Sequence, residues 1–318
     1  MGRGHEASVG GHEASVGGHD AGVGGHEAGV GGHDAGVGGY EAGMRSDDAG
    51  VGGHEAGVGG DDADASWRPT DSVRRVPLSP LSPEPARPAH ELLAAVRPHD
   101  RAPADRPFVF VNMISTADGR AARDGRTEAL GGEADLELLL ELRAIADAVL
   151  IGPGTLRAEG YDRLVRSPER RERRVAAGLA PDPLAVVITR RSAVPWDAGL
   201  FQAPDQPVLV YTGLEIEPPP VPAPVEVAHL AQPTLAAMSA DLRARGIRAL
   251  LCEGGPTMLG ALVAAGLVDE LYLTIVPMLT GDEDEPTIVA GGRLPAPADM
   301  QLQWALRSGA ELFLRYAL

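Results

Sequence analysis

The sequence predicts an α/β fold: a mostly parallel sheet flanked by helices and closed by a C-terminal antiparallel hairpin. Three observations carry this. From residue 106 onward, short apolar runs alternate with stretches of helical spacing. Residues 249–277 read as one βαβ unit, in which an apolar run enters Glu253-Gly254-Gly255-Pro256-Thr257, a helix runs over Met258–Ala265 to Gly266, and a second strand covers Leu271–Val276. Met300–Leu306 and Glu311–Tyr316 flank Ser308-Gly309 as a hairpin.

The chain opens differently. Residues 1–66 repeat a seven-residue unit, roughly Gly-His-acid-Ala-Gly/Ser-Val-Gly, with His5, His12, His19, His26, His33 and His54 in phase. One Val per repeat among glycines cannot form a helical seam, so this tail is expected to be disordered, with dilute His–acid metal buffering as the sharper alternative. Residues 67–105 are Pro-rich and read as a linker or arm, with one short helix expected at Ala89–Val96.

The domain proper is expected over 106–318. Phe108–Ile114 is a buried strand leading into Ser115–Arg120, and Asp135–Ala146 has the apolar spacing of a helix. Ala148–Ile151 is a short strand feeding Gly152-Pro153-Gly154-Thr155, and a helical turn starts at Leu156–Ala158. A charged helix follows at Ser167–Ala177. Further strands are expected at Leu184–Thr189, Val208–Tyr211 and Val225–Ala228, then a helix at Thr234–Arg245 and a strand at Arg248–Cys252.

Composition excludes several classes of function. The net charge is −17, and twelve acids face two arginines within residues 1–66, which argues against general nucleic-acid or anionic-membrane binding. All 28 Lys+Arg residues are Arg, so no Lys Schiff base or Walker-type phosphate Lys is possible. The single Cys252 cannot build a disulfide framework or a thiolate zinc site, and no metal centre is expected. With no apolar stretch of membrane-spanning length and no apolar signal core, a cytoplasmic protein is expected.

In an open α/β sheet, ligands bind beyond the carboxyl ends of the strands. The chemistry-bearing residues fall there: Asp118 after the first strand, Gly152–Thr155 after the second, Thr189-Arg190 after the third and Glu253–Thr257 after the strand at 248–252. The glycine turn at 152–155 is not the dinucleotide fingerprint, since Arg157 occupies the third glycine position. Thr189-Arg190 suits a 2′-phosphate, and Arg143 with Arg166 suits a second phosphate. Each is equally compatible, taken alone, with a solvated surface group.

Taken in order, Asn112-x-Ile-Ser-Thr-Ala-Asp-Gly-Arg120, LRAIADAVLIGPGTLRAEGYDR at 142–163, VVITR at 186–190 and EGGPTMLGALVAAGLVDELYLTIVP at 253–277 resemble the reductase domain of riboflavin biosynthesis. That domain is dihydrofolate-reductase-like and is often fused behind a deaminase. The deaminase needs a zinc site that one cysteine cannot supply, so a stand-alone, divergent branch is expected. The resemblance implies NADPH-dependent reduction of 5-amino-6-(5-phosphoribosylamino)uracil to its ribitylamino counterpart, in a homodimer. It implies Asp118 and Glu253 as catalytic carboxyls. Asn112, Thr127, Arg143, Glu159 and Arg166 would meet substrate, the two arginines through its phosphate. Gly131, Gly152, Gly154, Thr155, Thr189, Arg190, Gly254, Gly255, Pro256 and Thr257 would meet the cofactor. Where many members carry Lys, this chain has Asn112, which keeps hydrogen bonding and loses the charge. That departure leaves open a same-fold reductase of another substrate, such as a pterin. A non-enzymatic protein with a metal-binding tail is the other alternative.

Overall fold

Among the described residues, nine strands form a single sheet in the order β5-β4-β3-β2-β6-β1-β7-β9-β8. They are β1 Phe108–Thr116, β2 Ala148–Ile151, β3 Leu184–Thr189, β4 Val208–Thr212, β5 Val225–His229, β6 Ala249–Cys252, β7 Glu270–Val276, β8 Gln301–Ser308 and β9 Glu311–Ala317. From β5 to β7 every neighbouring pair is parallel; β9 runs antiparallel to β7, and β8 closes the hairpin on β9. The computed structural model describes residues 87–127, 129–190 and 194–318. The repeat at 1–66, the first part of the Pro-rich arm (67–86) and Arg191 lie outside the described residues.

The helices are α1 Ala89–Ala94, α2 Glu133–Ile145, α3 Pro153–Ala158, α4 Pro168–Ala176, α5 Gly199–Gln202, α6 Leu235–Ala244 and α7 Pro256–Ala264. Ser167 caps α4 and Thr234 caps α6 through their side chains. The expected elements are present, most within two residues of the sequence reading. The largest difference is α3, which begins three residues earlier; like α7 it starts at a proline in the first helical position, where the missing N–H costs nothing. The short α5 and a 3₁₀ turn at Pro98–Arg101 had no sequence counterpart.

The central strands β2, β4 and β6 are buried along their whole length, and β3 nearly so, because both faces of the sheet are covered there, whereas the edge strand β5 is only half-buried. On one face Phe110, Val149, Ile151, Val187 and Leu251 pack with Leu93 of α1, Leu138 and Leu142 of α2, and Phe201 of α5. On the other, Val109, Leu150, Val186, Leu250 and Cys252 pack with Met238 and Leu242 of α6 and Leu259 and Leu262 of α7. Burial pushes the Cys252 thiol up to about 12, so this cysteine is an inert packing group.

The topology positions the site. The chain leaves β2 toward β3, yet leaves β6 in the opposite direction, over β1 to β7. Since β2 and β6 are neighbours, the chain leaves their carboxyl ends in opposite directions, the switch point at which ligands gather in such sheets. Arg174, almost fully buried on α4, ties down the end of α2. Its Nη1 donates to the carbonyls of Arg143 (2.8 Å), Ala144 (3.2 Å) and Ala146 (2.7 Å), satisfying the open C-terminus of α2 with a cation.

Candidate active site

Glycines bring the two strand ends into contact. Gly152 N–H, after β2, donates to the Gly254 carbonyl after β6 at 3.0 Å. A Cβ on Gly152 would lie 3.2 Å from that oxygen, and one on Gly255 would lie 2.9 Å from Thr155 Oγ1. Gly254 has φ +79° and is joined to Gly255 by a cis peptide bond. Neither α3 nor α7 has a side-chain cap, so their first-turn N–H groups have no side-chain acceptor. Glycine backbone beside two helix starts is a surface that could take the diphosphate of a dinucleotide. Gly152, Thr155, Gly254, Gly255, Pro256 and Thr257 are thus brought together, with Gly154 in the first turn of α3. One strand further out, β3 ends at buried Thr189 and exposed Arg190. Gly131 has a packing reason of its own: a Cβ there would lie 2.5 Å from Asp135 Oδ2.

Glu253 is not the solvated turn residue that its sequence neighbours allow. Arg143 on α2 donates from Nε to Oε1 at 2.6 Å and from Nη2 to Oε2 at 2.7 Å, a bidentate pair. The Tyr161 hydroxyl adds a third bond to Oε2 at 2.8 Å, and its ring lies 5.5 Å from the Arg143 guanidinium carbon. The Arg143 and Glu253 side chains are only 13% and 3% exposed. Burial by itself would lower the Arg143 guanidinium, but the Glu253 charge and hydrogen bonds outweigh it and hold it above the usual arginine value. Arg143 was expected to hold a phosphate; in the structure its forked donors are spent on Glu253 instead.

Asp118 is likewise engaged. Its Oδ1 accepts from Thr116 Oγ1 at 2.5 Å, while Oδ2 accepts from Thr280 N–H at 3.1 Å, Thr280 Oγ1 at 3.2 Å and Gly281 N–H at 2.8 Å. The Thr116 hydroxyl, then the Gly281 amide, hold its carboxyl well below the usual carboxylate range. It ties the turn after β1 to the segment after β7, and it stays charged at neutral pH, the opposite of what a proton donor needs.

Thr127 and Glu159 meet: Glu159 Oε1 accepts from Thr127 N–H at 2.9 Å and from its hydroxyl at 2.8 Å. Asn112, half-buried on β1, has no hydrogen-bond partner for its Oδ1. Arg166 is 69% exposed, with only a surface contact to Asp162 at 3.1 Å. Tyr161 is the residue that sequence reasoning passed over. Its one signal was the aromatic two positions after Glu159, among the small and charged residues from Glu159 to Arg163.

Fold and site together define an α/β domain with two glycine turns meeting at the switch point of its sheet and a polar cluster beside them. Residues 107–314 match the model of the RibD C-terminal domain, and the chain belongs to that family, the reductases of riboflavin biosynthesis. It is 33% identical over 191 residues to a 2,5-diamino-6-ribosylamino-4(3H)-pyrimidinone 5′-phosphate reductase of Archaeoglobus fulgidus, covering 58% of this chain and 87% of that one. To the protein of the same name in Methanothermobacter thermautotrophicus it is 29% identical over 223 residues, 67% of this chain and 99% of the relative. Among solved structures, a pyrimidine reductase-like protein from Corynebacterium diphtheriae superposes with a TM-score of 0.61 at 23% identity, over 72% of this chain and 98% of that one, which supports the fold. The reduction chemistry of the family implies a nicotinamide cofactor.

Proposed function

We propose that the chain reduces 5-amino-6-(5-phosphoribosylamino)uracil to 5-amino-6-(5-phosphoribitylamino)uracil with NADPH. The observation that carries this reading is the meeting, at one switch point, of the Gly152/Gly254-Gly255 groove and the Arg143–Glu253–Tyr161 cluster, in a chain of this family. Opening of the ribosylamine ring places a C=N bond at C1′, and NADPH supplies the hydride that C1′ accepts while the nitrogen takes a proton.

The chain's own residues then orient and enclose the partners. The backbone of Gly152–Thr155 and Gly254–Thr257 cradles the diphosphate, Gly131 shapes the turn opposite, and Thr189-Arg190 takes the 2′-phosphate that distinguishes NADPH from NADH. Exposed Arg166 is the better holder of the substrate phosphate, because Arg143 is engaged. Arg143 fixes Glu253, which with the unpaired Asn112 Oδ1 accepts from substrate hydroxyl or amino groups. Asp118 holds the loops around them, and Thr127 with Glu159 closes the side of the mouth. Exposed Met300 and Leu302 beside and on the edge strand β8 support a homodimer as the working form.

One observation favours a second substrate: the relatives from Archaeoglobus and Methanothermobacter are named for the 2,5-diamino-pyrimidinone phosphate, which differs from the uracil compound at C2. The test is loss of NADPH absorbance when the purified chain is offered each pyrimidine in turn. Faster turnover of the uracil compound supports the reading; preference for the diamino compound assigns that substrate instead. Cofactor binding with neither turned over would refute both.

A further inference from the structure

We propose that Tyr161 is a positioning residue for the substrate side of this site: its hydroxyl saturates Oε2 of Glu253 and so leaves Oε1 as the acceptor presented to ligand. A carboxylate offers about four lone-pair positions. In Glu253, Oε2 receives both Arg143 Nη2 and the Tyr161 hydroxyl, whereas Oε1 receives Arg143 Nε alone. The remaining position on Oε1 suits an O–H or N–H donor, the groups that a ribosylamine carries. This rests on the reading of the substrate given above.

Tyr161 is built to hold that arrangement. Its N–H donates to the Glu159 carbonyl at 2.8 Å, while Glu159 grips Thr127 with its carboxylate. Gly199, at the start of α5, abuts it so closely that a Cβ there would lie 2.5 Å from the Tyr161 carbonyl oxygen. The ring packs against the main core beside the Arg143 guanidinium, whose Nη1 reaches the Leu164 carbonyl at 3.3 Å. The loop from Glu159 to Leu164 is thus held at three points. Burial, with the Glu253 charge, pushes the Tyr161 phenol well above its ordinary value, which keeps it a donor. The cofactor cradle, by contrast, is held by its own backbone bond from Gly152 to Gly254.

Tyr161→Phe deletes the hydroxyl and keeps the ring, so the fold is retained. Calorimetric binding of 5-amino-6-(5-phosphoribosylamino)uracil without cofactor, and fluorescence titration with NADPH, read the two sides separately. Expected is a roughly tenfold weaker substrate Kd and a matching rise in KM, with the NADPH Kd unchanged. In a Glu253→Gln background the same change should add nothing, because Tyr161 acts through that carboxylate. Unaltered substrate binding in Tyr161→Phe, an equal loss in NADPH affinity, or a full additional loss in the Glu253→Gln background would each overturn the proposal. Wild-type protein that binds NADPH but not the pyrimidine would instead sink the substrate reading on which it rests.

Discussion

Arg143 and Glu253, 110 residues apart in sequence, form a bidentate ion pair at the bottom of the mouth, with both side chains withdrawn from solvent. A buried pair of this kind adds little net stability over an apolar replacement, yet breaking it strands a charge. Arg143→Ala should therefore lower unfolding free energy by about 3–5 kcal/mol. Arg143→Lys should lose less, keeping the charge without the fork. Urea denaturation of both variants checks the order.

Asp118 gives the pH dependence. Its folded carboxyl is held below the usual Asp value, so its contribution is present above that value and is lost as pH falls through the folded one. The stability difference between wild type and Asp118→Asn should be full near pH ~6 and shrink below pH ~4. Thermal unfolding at both pH values reads it; a difference that grows on acidification contradicts the assignment.

Gly254 has a backbone conformation that L side chains resist, and a Cβ there would lie 3.0 Å from Met113 Sδ. Gly254→Ala should cost about 1–2 kcal/mol of stability and weaken NADPH binding, because the cradle moves with the turn. Comparing the melting temperature and NADPH titration of the variant with wild type tests both parts.

Arg190, exposed at the end of β3, should discriminate between cofactors. Arg190→Ala is expected to raise the Kd for NADPH by about tenfold or more and leave NADH unchanged, as loss of a charge-assisted bond to a 2′-phosphate requires. Parallel fluorescence titrations with the two dinucleotides decide it.

Much of the secondary structure was legible because its signals are local. The apolar runs at 148–151 and 184–189 are parallel strands buried but for Leu184, and their boundaries follow from where Gly-Pro or polar residues interrupt them. Ser167 and Thr234 announce α4 and α6 by the same logic. The site was legible in outline, since strand ends are where ligands gather, but the pairing of its charges was not. Arg143 read as an arginine offered to a phosphate, and Glu253 as a carboxyl offered to substrate. Each found its partner through the sheet.

The sequence by itself determined the alternation of strands and helices, the glycine turns after β2 and β6, and the absence of thiolate-metal and lysine chemistry. Those depend on composition and on neighbours a few residues apart. Only the tertiary structure decided that β6 inserts between β2 and β1, because a βαβ unit can be added on either side of a growing sheet without changing its local pattern. That insertion brings Gly152 against Gly254 and sets Glu253 between Arg143 and Tyr161. A guanidinium that sequence alone offers to a phosphate is thereby committed to a carboxylate, since a charge withdrawn from water must be paired where it lies.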